Sequence, residues 1–413
     1  MKFRLVSSYF PPENGSASHL FYEIGSKLAS WGHEVEVLTG FPSYHVDRNR
    51  LDPKYRKGLI FEEEMAGMRV LRVRTLCLPR GVHVLRGLDQ FISAFIFFIR
   101  GLLAKGESPD ATLVYSPPLP LGLAGWALSK LKGGLFILNV QDLFPQSAID
   151  LGVLKNPWLI GGLRRLERFI YRRADLVTVH SVGNSRTIER CGIDPEKLHV
   201  VHNGVDMDRI QPGPRVNGFR RDFGIGAETF VVSFAGVIGH SQDLETVLGA
   251  ARNLSDKPDI LFLIVGDGVD KARLESQAGA LGLSNVRFLP MQPKEKYPRL
   301  LHASDVCLVT LSKEVKTPVV PSKLLSIMAA GRAAVAAVPL EGDAPQIIRR
   351  AGCGLAVAPG EPQELADAIL KCRQDRVLTE AYGASGRDYA VRYFSIEYCA
   401  REYERLITRI GDR

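Results

Sequence analysis

Short apolar runs recur along the chain. Each is followed by a turn and then by a segment whose apolar residues fall three and four apart. This pattern predicts strands over residues 2–7, 35–39, 135–140 and 175–180, and again over 230–235, 260–265, 286–289, 306–311 and 333–338. Helices are predicted over 19–30, 88–105, 163–173, 244–253, 270–281, 321–331, 344–351, 362–372, 378–393 and 396–410. Strand-then-helix order repeated in both halves argues an α/β chain of two doubly wound, Rossmann-like domains facing a central cleft. A length of 413 residues is also too great for one core. The Pro/Gly-rich run QPGPRVNG after residue 210 marks a linker, so the expected division is 1–205 and 206–392.

The stretch around which the rest is organised is VVPSKLLSIMAAGR, residues 319–332. Pro321 suits a first helical turn and Gly331 the left-handed position past the end. Leu324, Ile327, Met328 and Gly331 share one face, which leaves Ser322, Lys323 and free backbone N–H groups at the front. A helix amino end attracts anions, and a lysine in its first turn adds a full charge. An ordinary core helix with one solvated lysine is the plain alternative.

Other strand ends carry candidate chemistry. Residues 8–18 form a loop rich in Pro, Gly and Ser at the mouth of the first strand, which puts Gly15 and Ser16 where a ligand approaches. Gln141 and Asp142 follow the strand at 135–140; a carboxylate there serves as a proton acceptor or as a cap for the next turn. In the second half Gly236, Gly239 and His240 precede a helix, as in loops that cradle a diphosphate with backbone N–H groups. Gly266 and the pair Pro290 and Met291 stand at the next two strand ends.

Charge is uneven. Residues 1–205 hold 26 Lys+Arg against 19 Asp+Glu, a net +7, while the remainder holds 27 against 26. No zinc-finger or RNA-recognition pattern accompanies the excess, so nucleic acid is not the expected partner. The apolar segment 88–105 is too short to span a bilayer. With basic residues such as Arg69, Arg72, Arg74, Arg80, Arg86 and Arg100 around it, it reads equally as a buried helix or as a contact with an anionic membrane face. The six cysteines form no C-x-x-C pair, which suits a reducing cytoplasm. The opening MKFRLVSSYF reads as a strand rather than a signal peptide. Asp206 and Asp208 spell D-x-D, but in a hinge-like segment, and no metal is expected.

These residues together resemble the family-four glycosyltransferases of the GT-B fold, in the branch concerned with colanic acid, O-antigen and N-acetyl-L-fucosamine transfer. The resemblance rests on YFPPENGSASH, LVYSPPLPLG, LNVQDLFPQS, HVVHNGVD, FAGVIGHSQDLETVL, LIVGDG, VPSKLLSIMAAGRAAVA and AGCGLAVAPGEPQELADAI, in that order. It implies an acceptor-binding first domain, a nucleotide-sugar-binding second domain, and a last helix, about 393–413, crossing back to the first. It implies a retaining reaction without metal or other cofactor, with a UDP-sugar the leading donor. Asp142 and Lys323 are then the catalytic candidates. Gly15, Ser16, Gly239, His240, Gly266, Pro290, Met291, Ser322 and Leu324 line the substrates. The acceptor it implies is a polyprenyl-diphosphate-linked saccharide at the inner face of the cytoplasmic membrane, in surface polysaccharide synthesis. Two features depart from the pattern: Pro318 and Ser326 stand where relatives carry a glutamate pair, and Gln141 stands where a histidine is common. A nucleotide-sugar epimerase or hydrolase, or a non-catalytic binding subunit, are the alternatives.

Overall fold

The computed structural model describes residues 1–13, 16–43, 51–56, 58–76, 83–150 and 152–411. The chain divides into two compact units, Met1–Gly204 with Ile396–Arg413, and Val205–Ser395. The first is built on β1 (Lys2–Ser7), β2 (Glu34–Gly40), β3 (Ile60–Met65), β4 (Met68–Val73), β5 (Ala111–Ser116), β6 (Leu135–Val140), β7 (Leu176–Val179) and β8 (Leu198–Val200). The second is built on β9 (Phe230–Ala235), β10 (Ile260–Val265), β11 (Val286–Leu289), β12 (Val306–Thr310), β13 (Ala333–Ala337) and β14 (Gly354–Val357).

The first sheet runs β3-β4-β2-β1-β5-β6-β7-β8 and the second β11-β10-β9-β12-β13-β14. All pairings are parallel except β3 with β4. Strand order therefore reverses between β1 and β5, and again between β9 and β12. In open α/β sheets these are the places where loops part and ligands enter.

Parallel strands covered on both faces must be apolar throughout, and β5, β9, β12 and β13 are buried at every position. One face of the first sheet packs on helices His83–Leu102, Leu121–Lys132 and Pro157–Arg173. The other packs on Ser16–Ser30 and Ile396–Gly411.

β3, β4, β5, β8 and β14 fall outside the apolar pattern read above. In β3 three successive glutamates mask the strand; the structure pairs two of them, and Glu36 of β2, with arginines. Glu63 accepts from the buried Arg72 at 2.6 Å, Glu62 pairs with Arg69 at 3.0 Å and with Arg100, and Glu36 pairs with Arg4 at 2.8 Å. Arg69, Arg72 and Arg100 are thus neutralised within the fold, which corrects their reading as free basic surroundings of the apolar helix. Arg80 lies outside the described residues, as do Arg48, Arg50 and Lys57. The helix itself shows two faces. Ala94, Phe97 and Arg100 are buried, while Leu88, Phe91, Phe95 (63% exposed) and Ile99, with Leu103 just beyond, form an exposed apolar stripe. No helix among the described residues is long and apolar enough to cross a membrane.

Candidate functional site

In the second unit the helix expected over 321–331 spans Ser322–Ala329. Pro321 stands one place earlier than expected, as the extended cap residue (φ −62°, ψ 126°), because the residue that caps a helix is outside its dihedral range. Gly331 ends the helix at φ +64°, the left-handed position. Leu324, Ile327 and Met328 are core. The Leu324 N–H bonds to Pro321 O at 2.9 Å. With its side chain wholly buried as well, Leu324 offers a ligand nothing directly. The N–H groups of Ser322 and Lys323 have no backbone partner among the described residues.

Lys323 reaches back along the carboxyl end of β9. Its Nζ lies 4.4 Å from the ring centroid of Phe234 and donates to Gln242 Oε1. Gly236, at φ +152°, makes the room: a Cβ there would lie 2.8 Å from Lys323 Cε. Burial lowers the Lys323 pKa to about 8. A desolvated ammonium without a carboxylate partner is a group that gains from an arriving anion.

The loop holding Gln242 is rigid for reasons the glycines explain. Ile238 N–H bonds to Asp267 O at 2.8 Å and Gly236 N–H to Val265 O at 2.9 Å. A Cβ on Gly266 would sit 1.9 Å from Gly236 O, and one on Gly268 2.1 Å from Ile238 O. These two glycines serve contact between loops. Gly239 by contrast has open space where a Cβ would point, and the Gly239 and His240 N–H groups have no backbone partner among the described residues. His240 Nδ1 sits 2.8 Å from the buried Asp270, its ring mostly exposed. Ser312 N–H bonds to Ser241 O at 2.9 Å and so ties the loop after β12 to the loop after β9. Gly239, His240, Asp243, Ser312, Lys313 and Glu314 share a cavity of about 480 Å³.

Pro290 and Met291 are exposed at the end of β11. Ser322 is exposed too, and Ser326 is hydrogen-bonded with the Tyr297 hydroxyl. Asp206 Oδ1 accepts the N–H groups of Asp208 and Arg209 at 2.9 and 3.0 Å, a turn cap.

In the first unit Asp142 follows β6. Its carboxylate makes no hydrogen bond among the described residues, so it caps neither the turn nor the helix Gln146–Asp150. It is exposed, yet the protein around it lifts its pKa above the usual carboxylate value. The Tyr115 hydroxyl lies within its field, as Tyr9 does within that of Tyr115. Gln141 is buried and fully engaged. Its Nε2 donates to Asn139 Oδ1 at 2.8 Å and its Oε1 accepts from Asn203 at 2.8 Å. Asn139 in turn donates to Tyr403 on the last helix at 2.7 Å. Gly15 lies outside the described residues; Ser16 opens the helix Ser16–Ser30.

Gln242 and Phe234, which hold Lys323, were not singled out from sequence, nor were Tyr9 and Tyr115. Gln242 had a signal, since it lies inside the glycine loop already marked. The aromatic residues had none, because strand residues look alike whether they end in a core or at a site.

Residues 217–389 match the family model "Glycosyl transferases group 1" and residues 15–204 match "Glycosyl transferase 4-like domain". The chain is similar to the putative colanic acid biosynthesis glycosyl transferase WcaI of Escherichia coli (strain K12), at 28% identity over 98% of both chains. It is similar to the probable glycosyltransferase WbjE of Pseudomonas aeruginosa, at 29% identity over 69% of this chain and 71% of that one. Its fold matches the crystal structure of Anabaena HepE in complex with UDP, with a TM-score of 0.73 and 19% identity over 99% and 100% of the two chains.

Proposed function

As the chain is a glycosyltransferase of GT-B fold, carrying a group 1 and a 4-like domain, we propose that it transfers a sugar from a nucleoside diphosphate, UDP foremost, with retention of configuration. The observation that carries this is the half-buried Lys323 ammonium, with no carboxylate partner among the described residues, in the first turn of its helix and hydrogen-bonded to the loop that also holds Gly239 and His240. Two phosphates seated there complete the hydrogen bonding of the backbone N–H groups and restore the charge balance of the lysine.

In the reaction the bond from the anomeric carbon to the diphosphate breaks, and the bond to the acceptor oxygen forms on the same face. Lys323 offsets charge on the leaving diphosphate. The acceptor proton passes to a diphosphate oxygen or to Asp142, whose lifted pKa makes it the better base.

The sugar in this reading is an N-acetylated deoxyhexose. The acceptor is a saccharide on polyprenyl diphosphate, in surface polysaccharide synthesis. The branch resemblance of the sequence motifs supports the sugar and the acceptor, and the similarity to WcaI supports a part in polysaccharide synthesis. Peripheral contact with an anionic membrane is supported by the exposed stripe of Leu88, Phe91, Phe95, Ile99 and Leu103, and by the basic excess of the first half. The test is a thermal-shift screen of UDP-, GDP- and dTDP-sugars, followed by turnover with the best donor. A stabilising donor, consumed only with acceptor and giving a product of unchanged anomeric configuration, is the expected result. Donor isomerised or hydrolysed without acceptor would favour an epimerase or hydrolase instead.

A further inference from the structure

The first unit carries a second concentration of positive charge, on two helices that follow Asp142 in the chain. Helix Pro157–Arg173 bears Arg164, Arg165, Arg168, Arg172 and Arg173, and helix Val182–Arg190 ends in Arg190. Arg164, Arg168 and Arg190 line one cavity of about 430 Å³. Its remaining walls include Leu143, Pro145, Gln146 and Cys191. None of the three arginines forms an ion pair among the described residues. Arg164 donates to Gln146 Oε1 at 3.1 Å, and Arg168 Nε to Arg164 O at 3.3 Å. Both bonds orient the guanidinium groups without neutralising them.

The acid in this cavity does not neutralise them either. Glu167 is buried and accepts from the Tyr171 hydroxyl at 3.0 Å. Burial raises its pKa to about 7 against the pull of Arg164 and Arg168. At neutral pH it is partly protonated, so the cavity is left with an excess of positive charge. Guanidinium forks match phosphate oxygens in pairs, and several of them on one small cavity select a doubly charged anion over a chloride.

We propose that this cavity binds a phosphate or diphosphate group of the acceptor substrate. The inference rests on the transferase reading, and adds to it where the acceptor's charged part is held. The segment Leu143–Gln146 connects the cavity directly to Asp142. The same helix starts with Trp158, 89% exposed, and Leu159, which suits an acceptor whose phosphate continues into an apolar chain. Two sources share the chemistry: a lipid carrier's diphosphate and a free phosphorylated sugar.

Cys191 provides a local reporter, since it lines the cavity and is the exposed thiol among the described residues. The experiment measures its alkylation by iodoacetamide, residue by residue in a mass spectrometer, with and without the probe. The probes are inorganic pyrophosphate, phosphatidylcholine vesicles containing polyprenyl diphosphate, and phosphatidylcholine vesicles containing phosphatidylglycerol. Pyrophosphate is expected to slow alkylation of the wild-type protein. The Arg168→Ala/Arg190→Ala variant needs at least about tenfold more of it, equivalent to about 1.4 kcal/mol, or loses the effect. Arg190→Gln, at an exposed helix end, repeats the comparison should the double variant fold poorly. Protection by the polyprenyl diphosphate vesicles but not by phosphatidylglycerol assigns the lipid carrier; protection by pyrophosphate but by neither vesicle assigns a soluble phosphorylated acceptor. Unchanged alkylation with every probe, or equal protection in wild type and both variants, overturns the proposal. UDP binding followed in parallel by thermal shift separates the two readings: UDP bound while Cys191 stays unprotected by pyrophosphate and by both vesicles removes the pocket and leaves the transferase.

Discussion

The Lys323 ammonium lies 4.4 Å from the centre of the Phe234 ring, with Gly236 keeping the space above the side chain free. The pair explains how a lysine is kept at a strand mouth with no acid paired to it among the described residues. The ring face attracts the cation, and the amide oxygen of Gln242 accepts one of its N–H bonds. The remaining donors are left for a ligand.

That arrangement fixes a pH dependence. The free lysine titrates at about 8, and a diphosphate beside it favours the charged form and raises the bound value. Binding above pH 8 therefore takes up a proton, and affinity for UDP falls as pH rises through that range, approaching tenfold per unit. Calorimetry in two buffers of different ionisation enthalpy measures the uptake. Affinity flat from pH 7 to 9.5 would remove Lys323 from the phosphates.

Lys323→Ala is expected to lower turnover by about two to three orders of magnitude, the usual loss when a group aimed at developing charge is removed. The folded protein should gain. A folded-state pKa below the ordinary lysine value means that stability falls as pH drops from about 10.5 to 8, and that the loss persists below. Lys323→Met therefore raises the melting temperature of the free protein at pH 7, by about 1–3 kcal/mol in stability.

Glu167 carries the opposite titration. Its folded pKa of about 7 exceeds the ordinary 4.5, so the stability it contributes is full below pH 4.5 and is lost as pH rises to 7. Glu167→Gln is expected to stabilise the protein at pH 8 by about 2–3 kcal/mol and to change little at pH 4. Denaturant melts at the two pH values check the difference.

Gly236→Ala tests the space around the lysine. The new methyl meets Lys323 Cε at 2.8 Å, and φ of +152° is one that a side chain resists. The lysine is flexible and moves aside. Donor affinity is expected to fall by about tenfold, the size of one charge-assisted hydrogen bond, while the unit stays folded. Equilibrium binding of UDP, with circular dichroism as the folding control, reads both.

Tyr403→Phe tests the tie between the last helix and the end of β6. Asn139 loses a partner of its Nδ2, 2.7 Å away, and that nitrogen is left with the Thr178 hydroxyl at 3.2 Å. A buried amide left short of a partner costs about 1–3 kcal/mol, read as a lower midpoint in urea.

Much of this was legible from the chain alone. A strand buried on both faces must be apolar along nearly all its length, so β6, β9 and β10 could be read to the residue. A glycine in the left-handed region is close to obligatory, so Gly331 announced the end of its helix. Residue order also put Lys323 in a first turn and Asp142 past a strand. Tertiary structure alone decided what those groups are worth. It paired Glu36, Glu62 and Glu63 with arginines that had looked free, because a cross-strand neighbour is set by register and not by sequence distance. It spent Gly266 and Gly268 on contact between two loops. And it brought Lys323 against Phe234, Gly236 and Gln242 from about eighty residues earlier in the chain, where burial shifts a proton equilibrium that no local pattern encodes.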